Sequence, residues 1–254
     1  MGSDNNLNGW IIGYDPGGNG KHGVAALKIV NADVCGDLKV GTEGTVADVI
    51  AWIEKRIQGE AILAAGIDTL TAWSKGRSGW RDADLRLIDG YVRVRHSVGS
   101  ANSLQGSMCL NGALLIQWLR EKHHGTMVTE AHPKVLYFAL SDQLHPGNPV
   151  PVKKASPQKG AESTIQRATG AEAWAATRGF FKERFGFPEF DVEAEDHVLD
   201  AILGVLTAWE GVKGLAGLEG GWTMDLHAAD KELIHPFGKT HYWWPKSLGP
   251  ASVK

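Results

Sequence analysis

A chain of 254 residues with 43% hydrophobic and 22% charged residues carries enough apolar material for a sizeable core, which excludes disordered and fibrous classes. Its net charge of −3 gives no global attraction to nucleic acid, so phosphate binding would have to rest on local basic patches or bound cations. Cys35 and Cys109 stand far apart and in no paired-ligand spacing, which excludes a thiolate zinc site and argues against a disulfide framework.

The opening Met-Gly-Ser-Asp-Asn-Asn lacks the basic and then apolar pattern of a secretion signal, and Asn6 stands where a myristoylation motif wants Ser or Thr. No apolar run reaches the roughly 20 residues of a membrane span. A cytoplasmic protein with no membrane partner is expected. Residues 1–8 read as a flexible arm, 9–211 as the main domain, and 212–254 as a Gly-rich linker and aromatic extension packed on it.

From Trp10 an apolar run ends on Asp15, turns through Pro16, Gly17, Gly18, Asn19 and Gly20, and resumes at Val24. Glycine and asparagine tolerate the positive φ of tight connections, so strand, turn and strand are predicted. Residues 33–41 alternate weakly and add a third strand. Val46, Val49, Ile50, Ile53 and Ile57 then fall at helical spacing, with Thr45 and Asp48 placed as a capping box and Gln58-Gly59 as the stop.

Residues 61–68 form a second apolar run, ending on Asp68. Reached through a helix, such a run has the signature of a parallel strand covered on both faces. Residues 73–96 are polar and locally basic. A helical stripe follows over 101–123 through Leu110, Leu114, Leu115, Trp118 and Leu119, and a third short run ends on Glu130. A short helix is predicted around 134–140, a Pro- and Lys-rich loop over 141–160, a helix over 161–185, and a strongly apolar helix carrying Asp196 and Asp200.

Three apolar strands therefore hand over to loop on a carboxylate: Asp15, Asp68 and Glu130. With right-handed crossovers all three emerge at one edge of the sheet, where open α/β sheets build sites. Asp196 and Asp200 lie one turn apart on one helical face, and the stripe continues as Gly204 and Ala208, small enough to let the helix lie close to the sheet. Converging carboxylates repel unless a cation sits between them, and hard oxygen ligands suit Mg²⁺ or Mn²⁺. Two such ions roughly 3.5–4 Å apart are the usual device for attack of water on a phosphodiester. The prediction is a two-metal nuclease, with Asp15 bridging the ions, Asp68 and Asp200 as further direct ligands, and Asp196 and Glu130 as fourth or outer ligands. Acids at strand ends can also simply cap turns or the following helices.

Gly66-Ile67-Asp68 with the Arg-rich stretch through Arg86, Glu130-Ala-His132-Pro133 and Asp196-His-Val-Leu-Asp200-Ala201 resemble the domain-of-unknown-function 429 family of predicted ribonuclease H-like nucleases. The resemblance covers residues of about 10–210. It implies a ribonuclease H-like α/β fold, with a five-stranded mixed sheet whose first three strands are antiparallel and the rest parallel, flanked by helices. Asp15-Pro16-Gly17 is similar to the opening of RuvC-like resolvases, whose second acid would correspond to Asp68 and whose helical acids to Asp196 and Asp200. Those enzymes commonly space the helical pair by three. Position 197 here is His, so His197 is a candidate ligand or proton shuttle, and which helical acid binds metal stays open.

Competing signals carry less. Gly18-Asn-Gly20-Lys21-His22 is not a Walker loop, because Asp15 stands where Gly is needed and His22 where Ser or Thr is needed. An actin- or sugar-kinase-like phosphotransferase would need a second such lobe. A non-catalytic module could hold nucleic acid through residues 75–95, with Arg77 and Arg81 the favoured phosphate contacts; a solvated helical face explains the same charges. Lys153, Lys154, Lys159 and Arg167 could cover the substrate. Trp243 and Trp244 could stack on bases, though packing on a sheet edge is the commoner role. His235 and His241 lack further clustered zinc ligands, and His132 reads as orienting Glu130 or capping the next helix.

Overall fold

The computed structural model describes residues 7–18, 20–76, 79–99, 106–146, 170–186, 195–228, 230 and 232–245. Strand β1 (Gly9–Asp15) is buried along its whole length, as its apolar run requires, and pairs antiparallel with β2 (His22–Val30). Asn31 and Ala32, both at positive φ, turn the chain within two residues into β3 (Asp33–Glu43). Helix α1 (Val46–Ile57) starts where the Thr45 hydroxyl accepts from the Asp48 amide and ends at Gln58 in the left-handed region. It returns the chain to β4 (Ile62–Ile67), parallel to β1.

The polar segment that follows is only partly a solvated face. After β5 (Trp73–Ser74), α2 (Asp82–Gly90) packs through Ala83 and Leu87, and one 3₁₀ turn follows. Helix α3 (Gly106–Lys122) faces the sheet with Gly112, Leu115, Ile116 and Leu119, while Leu110 and Leu114 of the expected stripe are exposed. Gly112 sets that rotation, because a Cβ there would run into the Thr69 side chain. Strand β6 (Met127–Glu130) completes a five-stranded mixed sheet of order β3-β2-β1-β4-β6, three strands antiparallel and the rest parallel.

Helices α4 (Pro133–Ser141) and α6 (Asp196–Ala216) cover one face and α1 and α3 the other, each with its own apolar cluster. Helix α5 (Gly170–Phe185) adds Phe181 to the α6 side; residues 161–169 of the expected helix and 147–160 of the expected loop lie outside the described residues. Helix α6 is buried almost all round from Val198 to Val212, which its near-continuous apolar sequence permits.

The C-terminal extension forms β7 (Met224–Asp225), β8 (Leu233–Ile234) and β9 (Trp243–Trp244). It pairs β8 with β5, and its 241–243 segment bonds to β6: the His241 amide donates to Val128 O at 2.9 Å and the Glu130 amide to His241 O at 2.8 Å. The extension thus covers the sheet edge that β6 would otherwise expose. Trp243 and Trp244 are buried by it and present no face for stacking on bases. No helix among the described residues is long and apolar enough to cross a membrane.

Candidate metal centre

The site begins with strand register. Tyr14 is opposite Ile67, and the Asp68 amide donates to Tyr14 O at 2.9 Å, so Asp15 and Asp68 leave adjacent parallel strands side by side. By alternation they share the face of Gly13 and Gly66. Those glycines let α6 rest its backbone on the sheet: a Cβ on Gly13 would overlap Ala201 O, one on Gly66 would overlap Gly204 O, and one on Gly23 would overlap His197 O. Gly204 is the small residue that sequence placed at this contact. One turn before it, Asp200 is delivered to the edge where Asp15 and Asp68 end.

Oxygens of Asp15, Asp68 and Asp200 all lie within 4.8 Å of one another. Burial, opposed by the hydrogen bond from His197 and reinforced by Asp200, pushes the Asp15 carboxyl up to about 6. Asp68 is pushed well above the usual carboxylate range, by burial first and then by Asp15 and Asp200. Asp200 Oδ1 is buried and accepts no hydrogen bond, although His145 Nε2 lies 2.9 Å away. The donor set is oxygen-only and converging, and its carboxylates repel one another unless positive charge sits beside or between them. It suits a hard divalent cation such as Mg²⁺ or Mn²⁺.

Three basic side chains border the triad. His197 Nδ1 is 2.6 Å from Asp15 Oδ2, and that hydrogen bond outweighs burial and raises the imidazole pKa. Lys134 Nζ stands 3.8 Å from Asp200 Oδ2. Burial works to lower the Lys134 pKa, but Asp200, Asp68, Asp15 and Asp196 together outweigh it and the net direction is upward. His145 packs edge-on against Tyr137. Sequence reading missed Lys134 and His145. Lys134 follows directly on Glu130-Ala-His-Pro and could have been marked by its place at a strand end, whereas His145 lies after α4 with no local signal.

Other expected site residues go elsewhere. Glu130 is opposite Ile67 rather than Asp68, so alternation turns it away from the triad. Both its oxygens are taken by Arg81, at 2.7 and 2.6 Å, and the Thr71 amide donates to it at 2.9 Å. Burial alone would raise its pKa; the Arg81 guanidinium prevails and holds it at about 2.

Arg81 is fully buried and is therefore no phosphate contact. All five of its N–H groups are used, by Asp84, Glu130 and the Ala72 carbonyl. Asp84, Glu130 and His132 have the spacing of a second metal group, but the guanidinium already supplies its positive charge. His132 bonds the Tyr242 hydroxyl at 2.7 Å and lies 3.6 Å from Glu130, which makes it part of this buried network.

Asp196 is the first residue of α6, its side chain 44% exposed and its carboxylate accepting from the His197 amide. It stays outside the triad and suits the positive end of the helix dipole. His241 pairs with Asp225 and His235 with Thr240; neither belongs to a group with metal-ligand spacing among the described residues. Arg77, Lys159 and Arg167, with Lys153 and Lys154, lie outside the described residues.

No protein-family model matches the chain, and neither curated proteins nor solved structures give a match.

Proposed function

We propose that the chain is a metal-dependent phosphodiesterase acting on nucleic acid, with a ribonuclease H-like fold and with Asp15, Asp68 and Asp200 as the ligands of Mg²⁺ or Mn²⁺. The observation that carries this reading is the convergence of three carboxylates at the C-terminal edge of two parallel strands, where α6 rests its backbone on glycines. The sheet order, with three antiparallel strands and then two parallel ones, supports the fold assignment. A kinase-like phosphotransferase would need a second lobe, and the described residues build one such sheet. Three carboxylates held this close favour a cation-dependent reaction over a binding module without catalysis.

When bound, a divalent cation supplies Lewis-acid stabilisation of phosphoryl charge and an activated water. Asp15, Asp68 and Asp200 would hold it. His197 fixes the rotamer of Asp15 through the 2.6 Å hydrogen bond and places a proton-carrying imidazole beside the reacting edge. Backbone packing of α6 on Gly13, Gly23 and Gly66 keeps the Asp200 carboxylate registered on the two strand ends. Hydrolysis adds water to phosphorus and breaks one ester P–O bond, and the departing oxygen takes a proton. The metal centre reads phosphate rather than base, so the triad itself does not select DNA, RNA, hybrid or branched substrates.

The test is calorimetry with Mn²⁺ together with cleavage of a panel of DNA, RNA and branched substrates. Binding of Mn²⁺ that is lost in Asp15→Asn, with cleavage lost in the same variant, is expected. Absence of binding at millimolar Mn²⁺ would overturn the metal assignment. Tight binding of a nucleic acid that is never cut would replace the enzyme by a binding module.

A further inference from the structure

Lys134 occupies a position that its own helix does not favour. It lies in the first turn of α4, directly after Pro133, and that turn contains no acid. A cation at a helix N-terminus opposes the dipole, whereas an acid there would be stabilised. The helix alone therefore gives no reason for a lysine at this place. What faces it is the triad: Nζ is 3.8 Å from Asp200 Oδ2, and Asp68 and Asp15 also act on the ammonium.

The distance carries a second message. A committed ammonium–carboxylate hydrogen bond is about 2.7–2.9 Å long, so Lys134 neutralises the cluster without being spent on Asp200. Its side chain is also 34% exposed, so Lys134 is not sealed from solvent. Charge balance points the same way. The triad already has Lys134 at 3.8 Å and His145 at 2.9 Å from Asp200 and His197 at 2.6 Å from Asp15, so its remaining need for positive charge is met by a single divalent ion; a second would meet the lysine charge at close range in a site of low dielectric.

We propose that Lys134 stands in place of a second metal ion: the triad holds one divalent cation, and the Lys134 ammonium grips a non-bridging oxygen of the phosphodiester beside it. The inference rests on the metal-dependent reading above and replaces the two ions expected from sequence by one ion and one lysine. Lysine is suited to this as a compact point charge with three rotatable donors on a flexible stem.

The experiment is calorimetric titration of the full chain with Mn²⁺, for wild type, Lys134→Arg and Lys134→Gln, with cleavage rates measured in parallel. The expected stoichiometry is one ion for wild type and Lys134→Arg. A second ion is expected to bind Lys134→Gln, whose cleavage falls about 100-fold, the usual loss for one charge-stabilising donor. Two ions on the wild type would overturn the inference while leaving metal-dependent hydrolysis standing, and this holds even if a variant fails to fold. A single ion on Lys134→Gln would also overturn it. No ion on the wild type overturns the metal reading, and this inference falls with it.

Discussion

Asp15→Asn gives the sharpest test of whether the triad is built for a cation. Without metal, the folded protein holds the Asp15 carboxyl at about 6, against an ordinary value of 3.8, because it is buried beside Asp200. A difference of about two pKa units corresponds to about 3 kcal/mol of folding free energy at any pH above both values. The folded state binds the extra proton between these values, so metal-free stability falls as pH rises through that window and then levels off. Asparagine has nearly the same shape and no charge, and it can still accept from His197. In chelator at pH 7.5 the variant should be more stable than wild type by about 2–3 kcal/mol, or about 5–10 °C in Tm for a domain of this size. At pH 4 the two should melt together. Saturating Mg²⁺ should raise wild type and leave the variant unmoved, since a ligand stabilises only the state that binds it. Thermal melts over pH 4–8, with chelator and with Mg²⁺, measure all of this. A variant less stable than wild type in chelator at pH 7.5, or Mg²⁺ stabilising both proteins equally, would refute the reasoning.

Two further substitutions separate the triad from its surroundings. Arg81→Met should cost about 3–5 kcal/mol, because it strands the buried carboxylates of Glu130 and Asp84, and a folded fraction should keep its Mn²⁺ affinity; denaturant melts and calorimetry check both. The Glu130 contribution has the opposite pH sign to that of Asp15. Its pKa is depressed, so stability is present above about 4.5 and is lost as pH falls toward about 2, and this acid-side loss should vanish in Arg81→Met. Gly66→Ala places a methyl group on Gly204 O and should lift α6 from the sheet. The expected cost is about 1–3 kcal/mol, with Mn²⁺ affinity weakened about tenfold as Asp200 moves off register. Unchanged affinity would show that α6 packing does not position the triad.

Much of the architecture was legible because its signals are short-range. Alternation and apolar runs mark β1, β4 and β6, and Thr45 with the Val49, Ile53 and Ile57 spacing marks α1. The run of acids at strand ends and in the apolar helix singled out Asp15, Asp68, Glu130, Asp196 and Asp200, of which the fold brings Asp15, Asp68 and Asp200 within 4.8 Å. Less legible was α3, whose apolar residues occur on more than one face, so that Gly112 rather than the leucine count decides which side meets the sheet.

The sequence by itself determined where chain polarity changes: which runs become strands, where they stop, and that carboxylates stand at those stops. Only the tertiary structure decided which carboxylates meet. Glu130 ends its strand just as Asp68 does, yet pairing it with Ile67 turns it one residue out of phase and gives it to Arg81. Lys134 becomes a neighbour of Asp200 through the docking of α4 against α6, a contact between residues 66 positions apart. The physical reason is one of range. Period and capping act within a few residues, whereas interstrand register and the seating of α6 on Gly13 and Gly66 are set by packing across the whole sheet.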